Sequence, residues 1–403
     1  MLKKCIFFLF PLAVFAHPHN QQMAPPAQEQ QQQMAPQSQQ PQLPPPPEQR
    51  KVEMPQITPP AGPLPGHTVD FVFSAEFLYW YATATNLSYA TKYIVYNQGN
   101  STNPMARFVG PEKIYETRWG WDRGIRTGIG LVTNHDGWDI YGDWTWFYNS
   151  TFDTTKVAKY AVNDLTNIQN PIGTEALATP WVANGTNSNF DSISTRWSIQ
   201  LNQFDIELGR KFYISPKLVF RPFGGIRGHW SRMFFKVRGD YDGLGLGNNN
   251  GRLQERARRT QNLWAVGLLG GLQSQWHFTQ NWSVFINWGL SLLYGAFDAR
   301  THLQSFGFNT NNQITSDFDR KFNHNDIYSL QAIYDLALGF RWELPIYDSA
   351  YRVRFDAGWE SHLYPGYNHL DANVSASSNG ATYLPAEGDL TLSGLVLRGQ
   401  FEF

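Results

Sequence analysis

The sequence predicts an all-β chain, a transmembrane antiparallel β-barrel of about ten strands (roughly 10–12) with short periplasmic turns and long outer loops. Three observations lead there. Apolar and polar residues alternate with period two in segment after segment. No stretch reaches ~18 consecutive apolar residues, which excludes a helical membrane span. Short and long connections alternate along the chain, as in barrels whose two ends face different compartments.

The bulk composition agrees. The 403 residues carry Lys+Arg 32 against Asp+Glu 33, a formal net charge of -1. That balance argues against nucleic acid as a partner, which selects strongly basic chains. Charged residues make up 16%, below the roughly 25% of soluble domains. Aromatic residues reach 15%, with Trp 15, yet mean hydropathy is -0.42. Few charges, many aromatics and no strongly apolar average describe a chain that alternates its faces rather than segregating a core.

Residues 1–16, MLKKCIFFLFPLAVFA, read as a signal peptide. Lys3 and Lys4 form the basic region, an apolar run follows from Cys5 to Phe15, and Val14 and Ala16 suit cleavage after Ala16. The run is too short to anchor the chain in a bilayer. Cys5 is the single cysteine. A lipoprotein needs a cysteine directly after the cleavage site, where His17 stands. The mature chain then has no disulfide, thiolate ligand or thiol nucleophile. Residues 17–68 are rich in Pro and Gln (PPAQEQQQQMAPQSQQPQLPPPPEQR), which predicts a disordered periplasmic arm acting as a spacer.

From 69 to 403 the texture is that of the barrel. In FVFSAEFLYWY, Phe71, Phe73, Phe77, Tyr79 and Tyr81 share one face, opposite Ser74 and Glu76. In WDIYGDWTWFY, Trp138, Ile140, Trp144, Trp146 and Tyr148 oppose Asp139, Asp143 and Thr145. WSVFINWGLSLLY sets Trp282, Val284, Ile286, Trp288, Leu290, Leu292 and Tyr294 against Ser283, Asn287 and Ser291. YDLALGFRWEL opposes Tyr334 to Leu344 against Asp335, Arg341 and Glu343, and YRVRFDAGWE places Arg352, Arg354, Asp356 and Glu360 on its polar face. Short turns are expected at 134–137, 215–217, 279–281 and 345–348, and long outer loops near 83–112, 150–192, 239–260, 299–327 and 365–387. The apolar faces meet outer-membrane lipid, with Tyr79, Trp138, Tyr148, Trp276, Trp282 and Tyr294 as interfacial aromatics. A secreted β-sandwich would instead expose Trp, Phe and Leu to water in nearly every strand.

The chain closes on DLTLSGLVLRGQFEF, alternating to its last residue, with Leu395, Leu397, Phe401 and Phe403 on one face. Such a strand must pair with the first to abolish the sheet edge. A terminal Phe on an alternating strand is the recognition signal of the outer-membrane assembly machinery. Phe401 and Phe403 are therefore the candidate assembly signal, and that machinery a partner.

Four stretches carry a family resemblance: AEFLYW…LSYA (75–90), WGWDRGIRTGIGLVTNHDGWDIYGDWTWF (119–147), FDIELGRKFYISPKLVFRPFGGIRGHW (204–230) and GDLTLSGLVLRGQFEF (388–403). They resemble the major outer membrane proteins of Legionella type, pore-forming proteins also found in chlamydia-like bacteria. The His-Asp-Gly-Trp-Asp turn is the most specific part. The resemblance implies a porin for passive diffusion of small hydrophilic solutes and leaves a homo-oligomer open. The chain departs from the cysteine-rich major proteins of classical chlamydiae, so disulfide cross-linking of an envelope network is out of reach.

The polar faces converge on the lumen. The pore-lining candidates are Glu76, Arg126, Asp139, Asp143, Asp205, Glu207, Arg221, Arg227, Asp335, Arg341, Glu343, Arg352, Arg354, Asp356, Glu360 and Arg398. In an open pore these opposed charges make a transverse field that favours small polar solutes. In a narrow barrel they cross-link and fill the interior. Gly124, Gly128, Gly130, Gly225, Gly267 and Gly271 face inward as well, either to leave space or to let strands bend.

RLQERARR puts Arg252, Arg256, Arg258 and Arg259 in an expected outer loop. It reads as a solvated cluster, a lipopolysaccharide phosphate contact or a constriction folded into the pore. GLGLGNNNG lacks the Lys, the Ser/Thr and the strand–helix frame of a phosphate loop. No metal or organic cofactor is implied. The rival classes are a structural or adhesive surface barrel and, less well supported, an outer-membrane enzyme. His135–Asp136 is turn chemistry, His369 and Asp371 are too weakly spaced to define a catalytic pair, and His229 and His362 stand singly.

Overall fold

At membrane depth every backbone N–H and C=O needs a partner within the protein, so an alternating strand requires a neighbour on each side. The computed structural model of the chain satisfies that requirement with a ring. It describes residues 69–98, 105–134, 136–157, 174–182, 190–242, 252–309, 311, 313–346, 351–377 and 380–403; the expected signal peptide and arm lie outside them. In chain order the strands are β1 (Val69–Ala84), β2 (Ser88–Gln98), β3 (Met105–Glu116), β4 (Gly120–Thr133), β5 (Trp138–Lys156), β6 (Thr174–Ala178), β7 (Ser192–Arg210) and β8 (Phe212–Ser215). There follow β9 (Leu218–Asp242), β10 (Arg252–His277), β11 (Trp282–Phe308), β12 (Ile314–Ile346), β13 (Tyr351–Asn368), β14 (Asp371–Ser377), β15 (Gly380–Pro385) and β16 (Gly388–Glu402).

Ten of these make the wall: β1, β4, β5, β7, β9, β10, β11, β12, β13 and β16, each paired antiparallel with the next. The pairing of β16 with β1 returns the ring to its start, from Val72↔Glu402 to Ala84↔Leu390. Phe71 and Phe403 exchange backbone hydrogen bonds of 2.7 and 2.9 Å. The Phe403 ring stacks on Phe71, Phe73 and Phe401. The last residue is thus part of the seam.

At the short-turn end, Asp136 and Gly137 take left-handed conformations between β4 and β5 (φ 59° and 72°). Arg210, ending β7, clasps this turn through Asp136 at 2.5 Å. Thr279 Oγ1 accepts the Trp282 N–H at 2.9 Å and closes the β10–β11 turn. The opposite end differs from the long loops expected of it. The segment 83–112 largely forms the β2–β3 hairpin, which joins β6 in a three-stranded sheet, and β14–β15 is a second hairpin. Segments 239–260 and 299–327 are mostly wall strand. At 25 residues for β9, 26 for β10, 27 for β11 and 33 for β12, these strands far exceed the ~10 residues that span a membrane. RLQERARR is therefore on β10, not in a loop. The alternation signal fades there because a strand standing in water needs no apolar outer face.

Parity is as the sequence predicts. Phe73, Ile129, Ile226, Leu268, Trp288 and Leu338 project outward, each at least half exposed. Acidic, basic and amide side chains line the inner face toward the short turns, and apolar side chains line it toward the other end. Two of the inward glycines mark close backbone approach rather than free space: a Cβ on Gly225 or on Gly267 would lie 2.0 Å from the carbonyl oxygen of Ile206 or Leu292 on the adjoining strand.

Candidate functional site

Register turns the inward charges into ladders. Arg126, Glu76, Arg398, Asp356 and Arg341 stand directly opposite one another on β4, β1, β16, β13 and β12, alternating in sign across five neighbouring strands. Glu76 takes Arg126 at 2.7 Å and Arg398 at 2.9 Å. Arg341 grips Asp356 with two bonds of 2.8 and 2.9 Å. Glu343 holds Arg354 at 2.7 Å, and Glu402 lies 3.5 Å from Arg352.

A second set of contacts crosses the lumen. Arg126 reaches Glu360 on β13 with two bonds of 3.0 Å. Glu360 and Asp335 flank His362 at 3.3 and 2.7 Å. Asp335 in turn holds Arg227 at 2.5 Å, and Arg227 grips Asp205 with two bonds of 2.8 Å. The result is a continuous charged belt from β16, β1 and β4 through β13 and β12 to β9 and β7. Bidentate arginine–carboxylate geometry makes such contacts both strong and directional.

On the short-turn side of this belt lies a cavity of about 800 Å³. It reaches the turns, where Lys211, Tyr213, Gln280 and Pro345 line it. Every pore-lining candidate borders it except Asp139. Asp139 is fully buried behind Arg221, whose guanidinium donates three bonds to it and another, at 3.0 Å, to Glu207. Of the pore-lining candidates, Asp139 alone does not reach the cavity: the guanidinium of Arg221, packed over Gly209, stands between them. Asp143 borders the cavity with its Oδ1 unbonded.

On the other side of the belt apolar side chains fill the lumen. Trp80 packs on His362 and Phe147 at 4.8 and 5.2 Å. Beyond it Trp181, Trp197, Phe235, Phe297, Tyr364 and Tyr367 are all buried. The β13–β16 register breaks between Tyr364 and Asn368, where Gly366 takes φ 62° and the chain turns into the barrel. Wall side chains bind this inturned backbone. Gln261 donates to the Tyr367 carbonyl at 2.7 Å and accepts the His369 N–H at 2.8 Å. Gln331 donates to the Pro365 carbonyl at 2.9 Å, and Asp389 accepts the Gly366 N–H at 2.8 Å. Arg259 donates to the Asp371 carbonyl at 2.6 Å and lies over the Trp181 ring.

Sequence reasoning missed Lys211, Gln261 and Gln331. Lys211 sits at a turn outside any alternating segment. The two glutamines are legible only as inward polar residues.

The family described as the Legionella pneumophila major outer membrane protein precursor matches residues 63–403. The chain belongs to that family. It is an outer-membrane protein, and the match begins just before β1 and takes in the whole ring. Among curated proteins none matches the chain. Among solved structures it is similar to the outer membrane protease OmpT from Escherichia coli, at 10% identity and a TM-score of 0.35, over 85% of this chain and 99% of that one. It is also similar to a Pseudomonas aeruginosa FadL homologue, at 8% identity and a TM-score of 0.24, over 85% and 93%. Likeness at that level says nothing of activity.

Proposed function

We propose that this family member is a channel for passive diffusion of small hydrophilic solutes and ions, held closed at its outer end by the inturned residues 364–371. The observation that carries this reading is the cavity of about 800 Å³ walled by charges of both signs. Side chains readily fill a barrel of this size, so a lumen needed only for structure has no reason to keep a hollow charged half. In outer-membrane barrels the short turns face the periplasm. The polar vestibule then opens inward, and the aromatic layer closes the outer side.

Planar-bilayer conductance of the purified, full-length protein tests this. Gln261→Ala with Gln331→Ala, which frees the inturned backbone, is expected to raise the conducting fraction above that of the wild type. A folded barrel that stays silent in both forms would defeat the channel.

The second reading is a closed structural or surface-presenting barrel, favoured by the charged belt that crosses the lumen. Catalysis finds less support among the described residues. His362 has two carboxylates and no nucleophile. The His229–Ser231 pair, at 3.2 Å, is buried, and His229 Nδ1 has no partner.

A further inference from the structure

The outward face of the projecting strands carries a row unlike the ladder inside. Arg196 on β7 stands opposite Lys236 on β9, Lys236 opposite Arg258 on β10, Arg258 opposite His302 on β11, and His302 opposite Lys321 on β12. Four cationic side chains and a histidine thus face one another on five neighbouring strands. Inside the barrel the equivalent row alternates in sign, and its charges satisfy one another. Like charges directly opposed destabilise a sheet, so a row of one sign needs anions from elsewhere.

The described residues do not supply enough of them. Two acids on this face are already engaged: Asp240 holds Arg238 at 2.8 Å, and Asp319, beside Lys321, holds His302 at 2.9 Å. Arg196, Lys236, Arg258 and Lys321 make no ion pair with an acid among the described residues. Partial burial, with the guanidiniums of Arg258, Arg256, Arg238 and Arg196, pushes the Lys236 ammonium below its ordinary value.

The row also lies at a defined height. Six residues below Lys236 and Arg258, on the same outward face, Trp230 pairs with Trp264, and both are about half exposed. Tryptophans in such positions mark the membrane interface. Six residues of strand rise about 20 Å, less once strand tilt is allowed for. The basic row therefore stands about 15 Å beyond the tryptophan pair, on strand extensions continuous with the lipid-facing wall.

We infer that the row from Arg196 to Lys321 binds the phosphate groups of the glycolipid that forms the outer leaflet around the barrel. Guanidinium and ammonium groups are suited to phosphate, arginine through paired N–H donors and lysine as a point charge. A lipid already held at the wall by its acyl chains presents its phosphates to the row without a separate encounter, so weak contacts add. The inference is independent of whether the lumen conducts.

Full-length protein in detergent is titrated with purified lipopolysaccharide, with the same material dephosphorylated, with inorganic phosphate and with a sulfated polysaccharide. The variant is Arg196→Gln with Lys236→Gln and Arg258→Gln. The wild type is expected to bind phosphorylated lipopolysaccharide about tenfold or more tightly than the dephosphorylated form, and the variant to lose that preference. The variant should also unfold at a temperature no lower than the wild type without lipid, because it removes opposed like charges. Equal binding of both glycolipid forms by the wild type overturns the inference, and needs no variant. So does an unchanged preference in the folded variant, or tighter binding of free phosphate or the sulfated polysaccharide than of the glycolipid.

Discussion

Arg126 on β4 and Glu360 on β13 meet through two hydrogen bonds of 3.0 Å, although β1 and β16 stand between their strands in the ring. The guanidinium spans the barrel interior rather than running along the wall. It also binds Glu76 and the Thr145 hydroxyl, so its donors are engaged on both sides.

Removing the Glu360 end leaves Arg126 with only Glu76, and His362 with only Asp335, as carboxylate partners. Glu360→Ala is expected to cost about 3–5 kcal/mol of stability, because Arg126 and His362 both lose an acceptor. Arg352→Ala should cost no more than about 1 kcal/mol, since the Arg352–Glu402 contact is long and a third exposed. Urea unfolding in micelles measures both. A loss below about 1 kcal/mol for Glu360→Ala would show that the belt is solvated.

Facing can be tested on neighbouring strands. Trp288→Arg or Leu338→Arg puts a charge on the lipid side, at a cost of about 2–4 kcal/mol near the midplane. Gln273→Arg points into the cavity, which Gln273 lines, and should be much milder. Similar losses for all three would contradict the assigned faces.

The seam predicts an assembly phenotype. Deleting Phe403, or Phe403→Asp, removes the stack on Phe71, Phe73 and Phe401 that ends the β16–β1 closure. Outer-membrane insertion should fall while export continues. Normal amounts of heat-modifiable protein in the outer membrane would show that the last residue is dispensable.

Selectivity should respond at the vestibule mouth. Lys211 lines the cavity without an ion pair among the described residues, and Arg352 is only loosely held. Lys211→Glu with Arg352→Glu should shift the reversal potential in a salt gradient toward cation preference. The same reversal at Arg227 or Arg354 would set carboxylates against Asp205, Asp335 or Glu343 and threaten folding. Unchanged selectivity in a folded, conducting Lys211/Arg352 variant would place the ion path elsewhere.

The sequence by itself determined the fold class, the lipid-facing and inward residues, and the last strand's place in the seam. Those follow from local period-two alternation and from a solvent that tolerates no unpaired backbone. Tertiary structure alone decided which charges meet. Shifting a strand by two residues keeps every side chain on its face but changes all its partners, and alternation is blind to that shift. Only the observed register sets Glu76 between Arg126 and Arg398, hides Asp139 behind Arg221, and lines up Arg196, Lys236, Arg258, His302 and Lys321 across five strands. The filling of the outer lumen was likewise hidden. It depends on Gln261 and Gln331 bonding the backbone of residues 365–369, which lie more than 30 positions away in the chain.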